Sequence, residues 1–340
     1  MIEIKKLNID LGDFKLKDID LKIERGEYFV ILGPSGAGKT VILELIAGLL
    51  KPDSGVIEGI DNKRSALIYQ DYMLFPHLNV FDNIAFGLKV RKKKKDEICQ
   101  KVHSAAEKLG ITGLLDRSVL TLSGGESQRT AIARASVTDP EVFLLDEPTA
   151  ALDSNTRTGI LELLKDLHSK NKNTFIHVTH NFEEALYLAD RIAVIKDGRL
   201  IQRGTPNEIF NHPTSKFVAD FVGFENVFFG SVKDGRFTSE NDPDLILSAN
   251  CDTCESVYLA LKSEDVIVSK EKFESSARNS YLGTVTEVIN RLSGNEIIFT
   301  VNKTKLISTV TKISTEELEI KKGSQFWLTF KASSLKVFPH

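Results

Sequence analysis

Gly33-Pro34-Ser35-Gly36-Ala37-Gly38-Lys39-Thr40 is the stretch on which the fold turns. It fits G-x-x-x-x-G-K-[ST] and lies between an apolar run, Tyr28-Phe29-Val30-Ile31-Leu32, and a helix-like segment over residues 39–47. That strand–loop–helix context is what the motif requires. Its glycines let backbone amides turn inward and approach phosphate oxygens closely, and the helix start adds its positive end. Lys39 is placed to neutralise the β- and γ-phosphates, and the Thr40 hydroxyl to ligate Mg²⁺. The reading is an ATP site.

Outward from the loop, Val142-Phe143-Leu144-Leu145 is a buried-strand candidate that ends in Asp146-Glu147. Asp146 is placed to hold Mg²⁺, partly through water, and Glu147 to polarise an attacking water as general base. Residues 174–178 form another apolar run, and residues 192–195 precede Lys196-Asp197-Gly198-Arg199, a hairpin turn. Residues 1–225 thus read as alternating strands and helices, a layered α/β domain. From Asn226 the character changes to short β-rich runs, over 256–261, 283–289, 296–301 and 326–330, separated by Gly, Asn, Asp and Ser. Residues 226–340 are therefore predicted to form a small all-β barrel or sandwich.

The composition sets the outer limits. A 340-residue chain accommodates two domains, and 41% hydrophobic with 27% charged residues fits well-formed cores. A net charge of −3 gives no global field for nucleic acid. No run approaches the roughly 18 apolar residues that span a bilayer, and the strand-like first residues carry no secretory signal. Three cysteines argue for a reducing cytoplasm rather than a disulfide scaffold. Cys251-x-x-Cys254 lacks the second ligand pair of a structural zinc site. The basic run Arg91-Lys92-Lys93-Lys94-Lys95 reads as a solvated loop or helix end, with anionic lipid contact as the alternative. Any membrane role then comes through a partner.

Leu122-Ser123-Gly124-Gly125-Glu126 narrows the class. Ser123 is a good helix N-cap, and the free amides of Gly124 and Gly125 are able to hold an anion. With the phosphate loop and the Asp146-Glu147 strand, this segment resembles the signature of the ATP-binding subunits of ABC transporters, over essentially all of residues 1–225. The resemblance implies an ATP hydrolase on the cytoplasmic face of the membrane. It further implies that Gln70 contacts Mg²⁺ and a transmembrane partner, that Ala151-Leu152-Asp153 crosses a dimer interface, and that His180 is the switch histidine reaching the γ-phosphate. Phe14 stands where many relatives stack a tyrosine on adenine; stacking survives without the hydroxyl. Ala150 stands where a serine often begins the interface loop, and one cross-dimer hydrogen bond is in doubt. In that family two ATPs are sandwiched between two nucleotide-binding domains, with Ser123 and Gly125 facing the partner's γ-phosphate. One copy supplies one loop and one signature, so a homodimer follows.

The tail carries Ser275-Ser276-Ala277-Arg278-Asn279-Ser280 and, near its end, Phe330-Lys331-Ala332-Ser333-Ser334. Together they resemble the segments of molybdenum-binding Mop or TOBE-like domains of OB type. The resemblance implies that Ser276, Ala277, Arg278, Asn279, Lys331, Ala332 and Ser333 surround molybdate or tungstate. Short hydroxyls and turn amides pack donors closely, Arg278 offers a rigid fork and Lys331 a point charge. The bland alternative is a barrel whose basic residues merely face solvent. The whole chain resembles the ATPase subunit of a molybdate/tungstate importer. That implies integral-membrane permease subunits, an extracytoplasmic binding protein as an indirect partner, and inhibition by accumulated oxyanion. The competing expectations are import of sulfate, sugars or polyamines, and a soluble ABC ATPase outside transport.

Overall fold

The computed structural model describes residues 1–249 and 253–339, with the backbone alone at Asn171. The chain resolves into two compact units, Met1–Pro206 and Asn207–His340. Helical turns continue to Phe221, and the β-rich part begins at Asn226.

The first unit opens with β1 (Ile2–Asp10) and β2 (Lys15–Ile23), an antiparallel pair whose alternating apolar residues face one core. Then follow β3 (Tyr28–Leu32), α1 (Lys39–Ile46), β4 (Ser54–Glu58), β5 (Ser65–Ile68), α2 (Val80–Val90), α3 (Lys95–Lys108) and α4 (Gly124–Ser136). The unit continues through β6 (Val142–Asp146), α5 (Ser154–Asn171), β7 (Thr174–Thr179), α6 (Phe182–Leu188), β8 (Arg191–Lys196) and β9 (Arg199–Gly204).

Two sheets result. One is β2-β1-β4; the other is six-stranded, in the order β5-β6-β7-β3-β8-β9. Within the second, β5, β6, β7, β3 and β8 run parallel. The strands β3, β6 and β7 are buried at every residue, as expected of a parallel sheet covered on both faces; one face shares a core with α1 and the β1–β2 pair. The apolar runs read from the sequence are these strands. The hairpin forms as expected: β8 and β9 pair antiparallel, with Asp197 and Gly198 both at positive φ (47° and 71°), the backbone of a tight two-residue turn.

Register places the chemistry. Ile68 pairs with Leu145, Asp146 with Val178, and Leu32 with Thr179. Gln70, Glu147, His180 and Gly33 each follow within two residues of those positions. All four therefore leave the sheet at its C-terminal edge, where parallel sheets hold ligands.

Helix α7 (Pro206–Asn211) leads from the first unit into the second and is followed by α8 (Lys216–Phe221). The second unit continues with β10 (Asn226–Lys233), β11 (Arg236–Ser239), β12 (Ile246–Ser248), β13 (Cys254–Leu261), β14 (Ile267–Ser269) and β15 (Asn279–Asn290). It closes with β16 (Asn295–Val301), β17 (Thr304–Val310), α9 (Lys312–Glu317), β18 (Gln325–Phe330) and β19 (Lys336–Pro339). All its strand pairs are antiparallel, in two five-stranded sheets, β12-β11-β10-β13-β19 and β14-β18-β15-β16-β17. Apolar residues of both sheets, among them Phe237, Leu259, Phe299 and Leu328, share one core. The all-β expectation is met. Cys251 lies outside the described residues, and Cys254 is exposed. Among the described residues no cluster of three or more His, Cys, Asp or Glu is arranged to hold a metal.

Candidate functional site

The phosphate loop is held from below. A Cβ on Gly33 would sit 2.3 Å from the Ile195 carbonyl, so no side chain fits where the loop leaves β3. Gly38 has φ +97°, and the Phe14 ring packs directly against it, putting the expected adenine-stacking ring beside the loop. The Ala37 carbonyl accepts from Gly198 N at 3.2 Å, tying the loop to the β8–β9 turn. The helix α1 starts at Gly38 with no side-chain cap and no acidic residue in its first turn. Its leading amides are therefore open to an anion.

Lys39 is buried (5% exposed), and its ammonium donates to the carbonyls of Gly33 (2.9 Å) and Pro34 (3.0 Å). It lies 3.7 Å from Glu147 Oε1. Burial lowers its pKa below 10.5, an effect only partly offset by the neighbouring Glu147 and Asp146 carboxylates. Thr40 Oγ1 donates to both oxygens of Asp146, at 3.1 and 3.0 Å. Burial raises the Asp146 pKa above 3.8 against the opposing pull of that hydrogen bond. A hydroxyl and a carboxylate converging beside an uncapped helix start fit a magnesium nucleotide, since Mg²⁺ takes one or two protein oxygens and completes its shell with phosphate and water.

Glu147 sits at φ +44°, a strained conformation for a residue with a side chain, and its N–H donates to Val178 O at 2.9 Å. Its carboxylate meets His180 Nδ1 at 3.0 Å. The structure therefore brings Lys39, Thr40, Asp146, Glu147 and His180 together. Gln70 follows the end of β5 at the same sheet edge and is exposed.

Ser123, Gly124 and Gly125 open α4 with a reciprocal capping box. Ser123 Oγ accepts from Glu126 N at 3.3 Å, and Glu126 Oε2 accepts from Ser123 N at 2.8 Å. A Cβ on Gly125 would lie 2.4 Å from Thr156 Cγ2; one on Gly124 would meet Leu152 and the Tyr72 hydroxyl at 3.3 and 3.4 Å. The signature glycines are thus pressed by the loop and helix that follow Asp146-Glu147. Ser123, Gly125, Glu126, Arg129 and Thr156 line one open cavity of about 430 Å³.

Sequence reasoning missed the pins around these motifs. Arg134 donates to the carbonyls of Tyr72 (2.8 Å) and Met73 (2.6 Å), fixing the turn after Gln70. Asn83, fully buried, clamps Phe75 through its N–H (2.8 Å) and carbonyl (3.1 Å). An Asn inside the apolar face of α2 was the available signal. Phe75 is thereby tethered, its ring centroid 4.3 Å from that of Phe86, while Met73 and Phe86 are exposed. In the basic run, Arg91 donates to Thr138 O and Lys63 O, and Lys93 pairs with Glu97, so these two residues have protein partners.

In the second unit the two segments expected to hold an oxyanion are neighbours. Asn279 pairs with Phe330 across the β15–β18 ladder, which sets Arg278 beside Lys331 and the short turn Ala332–Ser334. Arg278, Lys331, Ser276 and Ser333 are exposed, and neither cation makes a salt bridge among the described residues. Asn279 behaves differently. It is fully buried, and its amide side chain accepts from Ser248 N (2.7 Å) and donates to Ser248 O (3.1 Å), tying β15 to β12.

The ABC transporter family model matches residues 16–150, and the TOBE domain model matches residues 275–337. The chain is 42% identical, over 99% of its length and all of the relative's, to the molybdate/tungstate import ATP-binding protein WtpC of Pyrococcus abyssi. It is 43% identical, over the full length of both, to that of Pyrococcus horikoshii. The spermidine/putrescine import ATP-binding protein PotA of Borreliella afzelii is 38% identical, over 94% of this chain and 95% of its own. Among solved structures, cbiO1 of Clostridium perfringens, part of the ABC transporter complex cbiONQ, superposes with TM-score 0.57 at 34% identity, covering 62% of this chain and 90% of that one. The ATP-binding cassette MJ0796, in a dimeric post-hydrolysis state bound to ADP and Pi, superposes with TM-score 0.55 at 30% identity, covering 61% of this chain and 99% of that one. The chain belongs to the ABC transporter ATP-binding family, in the form that carries a C-terminal TOBE domain.

Proposed function

We propose that this chain is the ATP-hydrolysing subunit of an importer of molybdate or tungstate, acting as a homodimer beneath a membrane permease. The observation that carries the hydrolytic half is the meeting of Lys39, Asp146, Glu147 and His180 at one sheet edge, with Glu147 bridging lysine and histidine. In this reading the amides of residues 33–40 and the Lys39 ammonium hold the phosphates, and Phe14 supports the base. Thr40, Asp146 and Gln70 would hold Mg²⁺, which supplies charge neutralisation at the transferred phosphate. Glu147 accepts a proton from the attacking water, and His180 orients Glu147 and contacts the γ-phosphate. Ser123, Gly124 and Gly125 serve the nucleotide of the partner copy. Residues 1–225 form the ATPase domain and 226–340 the regulatory domain. Among the described residues no helix is long and apolar enough to cross a membrane; the segment around Phe75-Pro76-His77 meets the permease on the cytoplasmic face, and an extracytoplasmic binding protein delivers the cargo.

The substrate assignment rests on the full-length likeness to the two WtpC proteins and on the tail chemistry. Arg278 and Lys331 stand side by side, exposed and without carboxylate partners among the described residues, which suits a dianion. Ser276, Ala277, Ala332 and Ser333 supply the surrounding hydroxyls and amides, and Asn279 holds the segment in place. Bound oxyanion then restrains ATP hydrolysis. The likeness to PotA favours a second reading, polyamine import, but paired cations are poorly suited to recognise a polycation.

Calorimetry of the full-length chain with molybdate, tungstate, sulfate and spermidine tests the assignment. Binding of the first two and not the others is expected. Binding of spermidine alone transfers the assignment to polyamines. ATPase rates of the transporter with and without oxyanion test regulation, and equal rates refute it.

A further inference from the structure

Behind the hydrolytic edge lies a buried polar chain that the mechanism above leaves unused. Glu184, on α6, is 2% exposed, and its carboxylate reaches in three directions. Oε1 accepts from the Thr149 hydroxyl, two residues beyond Glu147. Oε2 accepts from the Thr179 hydroxyl at 2.7 Å, one residue before His180. The same oxygen lies 3.4 Å from His177 Nε2, and His177 Nδ1 shares a hydrogen bond of 3.1 Å with the Tyr28 hydroxyl. Tyr28 and His177 are wholly buried, and Tyr28 stacks on Phe175, which stacks on Phe143.

One carboxylate thus grips the two segments that carry Glu147 and His180. Burial pushes the Glu184 pKa up, but the nearby His177 imidazole and hydrogen bonds from Thr149 and Thr179 outweigh it and hold the group below 4.5. Each carboxylate oxygen accepts one hydroxyl, from Thr149 in the segment after β6 and from Thr179 at the end of β7, and such bonding is what holds a buried charge in place. The strained backbone of Glu147 (φ +44°) needs such over-determination to persist. The chain continues outward as well, since the Asn181 amide donates to Thr179 Oγ1 at 3.0 Å and thereby caps the turn through His180.

We infer that Glu184 is a positioning residue for ATP hydrolysis: through Thr149 and Thr179 it sets the register between the Glu147 carboxylate and the His180 imidazole. This rests on the assignment of Glu147 and His180 above. Nucleotide binding depends on Lys39 and the loop glycines, which Glu184 does not touch, so the effect falls on turnover and spares affinity.

The test compares Thr149→Val, Thr149→Ser and Glu147→Gln in the full-length chain, measuring kcat, KM for ATP and the thermal midpoint. Thr149→Val, which deletes one hydroxyl at constant shape, should lower kcat about tenfold, with KM within about twofold. Thr149→Ser, which restores the donor, should recover most of the loss. Equal kcat in Thr149→Val and the parent overturns the inference, as does a rise in KM matching the loss in kcat. A fall in thermal midpoint with kcat per folded molecule unchanged also overturns it, because the role is then only structural. Glu147→Gln separates the two levels. If it retains hydrolysis, the assignment of the base itself fails; if it is inactive while Thr149→Val is normal, only the positioning role fails. Should Thr149→Val not fold, Thr179→Val and Thr179→Ser pose the same question from the His180 side.

Discussion

In the proposed reading the two units hold an anion in opposite ways. In the first, parallel strands deliver Lys39, Asp146, Glu147 and His180 to one edge, where Lys39 and Asp146 are buried and all four already meet neighbouring side chains. In the second, an antiparallel ladder lays two segments side by side and leaves Arg278 and Lys331 exposed. The first arrangement is preorganised for chemistry, because fixed charges in a desolvated site need not reorganise during reaction. The second is suited to sensing, since exposed cations exchange solvent for ligand at low cost. Preorganisation makes single substitutions expensive; exposure makes them local.

That contrast can be broken at four points. The largest effect is expected at Glu147: Glu147→Gln should reduce ATP turnover by about 10²–10⁴-fold while ATP still binds, by analogy with other general-base losses. Single-turnover kinetics and nucleotide binding by fluorescence check it, and a loss below fivefold would remove Glu147 from the role of base. Next, the double change Arg278→Ala, Lys331→Ala should weaken molybdate binding by more than about tenfold, the scale of charge-assisted hydrogen bonds. ATP hydrolysis without oxyanion should be unaffected; a matching loss of basal activity would contradict the separation of the two sites.

A smaller effect is expected at the signature. Gly125→Ala drives a methyl to 2.4 Å from Thr156 Cγ2, and overpacking of this kind costs about 1–3 kcal/mol. Denaturant unfolding reads the cost, and Thr156→Ser in the same background should recover part of it. If the single change is neutral, α4 and α5 are looser than the geometry implies. The smallest effect concerns pH. The Glu184 pKa is depressed below 4.5 in the folded chain, so its stabilising contribution is complete above 4.5 and vanishes as pH falls through the folded value. Thermal midpoints of the parent and of Glu184→Gln should therefore differ most above pH 4.5 and converge below it. A constant gap across that range would mean that the carboxylate's charge contributes nothing.

The contrast also governs how much was legible. Residues 33–40, the run ending in Asp146-Glu147 and the capping pattern at Ser123 declare themselves because each is local: a turn, a strand end and a helix start written within eight residues. The strands over 283–289 and 326–330 were legible for the same reason, by alternation and turn residues, and they lie within β15 and β18. Asn279 was harder. Its segment suggests a ligand contact, yet the fold spends the side chain on the backbone of Ser248 in β12, a strand of the other sheet, and no local pattern announces that. Arg134 likewise looks like an ordinary helix residue until the turn it clamps is seen, and Asn83 signals only that it is polar on an apolar helix face, not which loop it holds.

The sequence by itself determined the chemistry available to this protein: a phosphate loop, a carboxylate pair, a signature helix and a tail with two basic, hydroxyl-rich segments. Those follow from backbone and side-chain requirements that act over a few residues. The tertiary structure alone decided which groups meet. The strand order β5-β6-β7-β3 brings Glu147 to His180 and hangs both on Glu184, across separations of more than thirty residues in the case of Thr149 and Glu184. Such contacts are set by sheet register and helix packing, where burial of whole strands outweighs any local preference. That is why the loop could be read at once, and the carboxylate behind it could not.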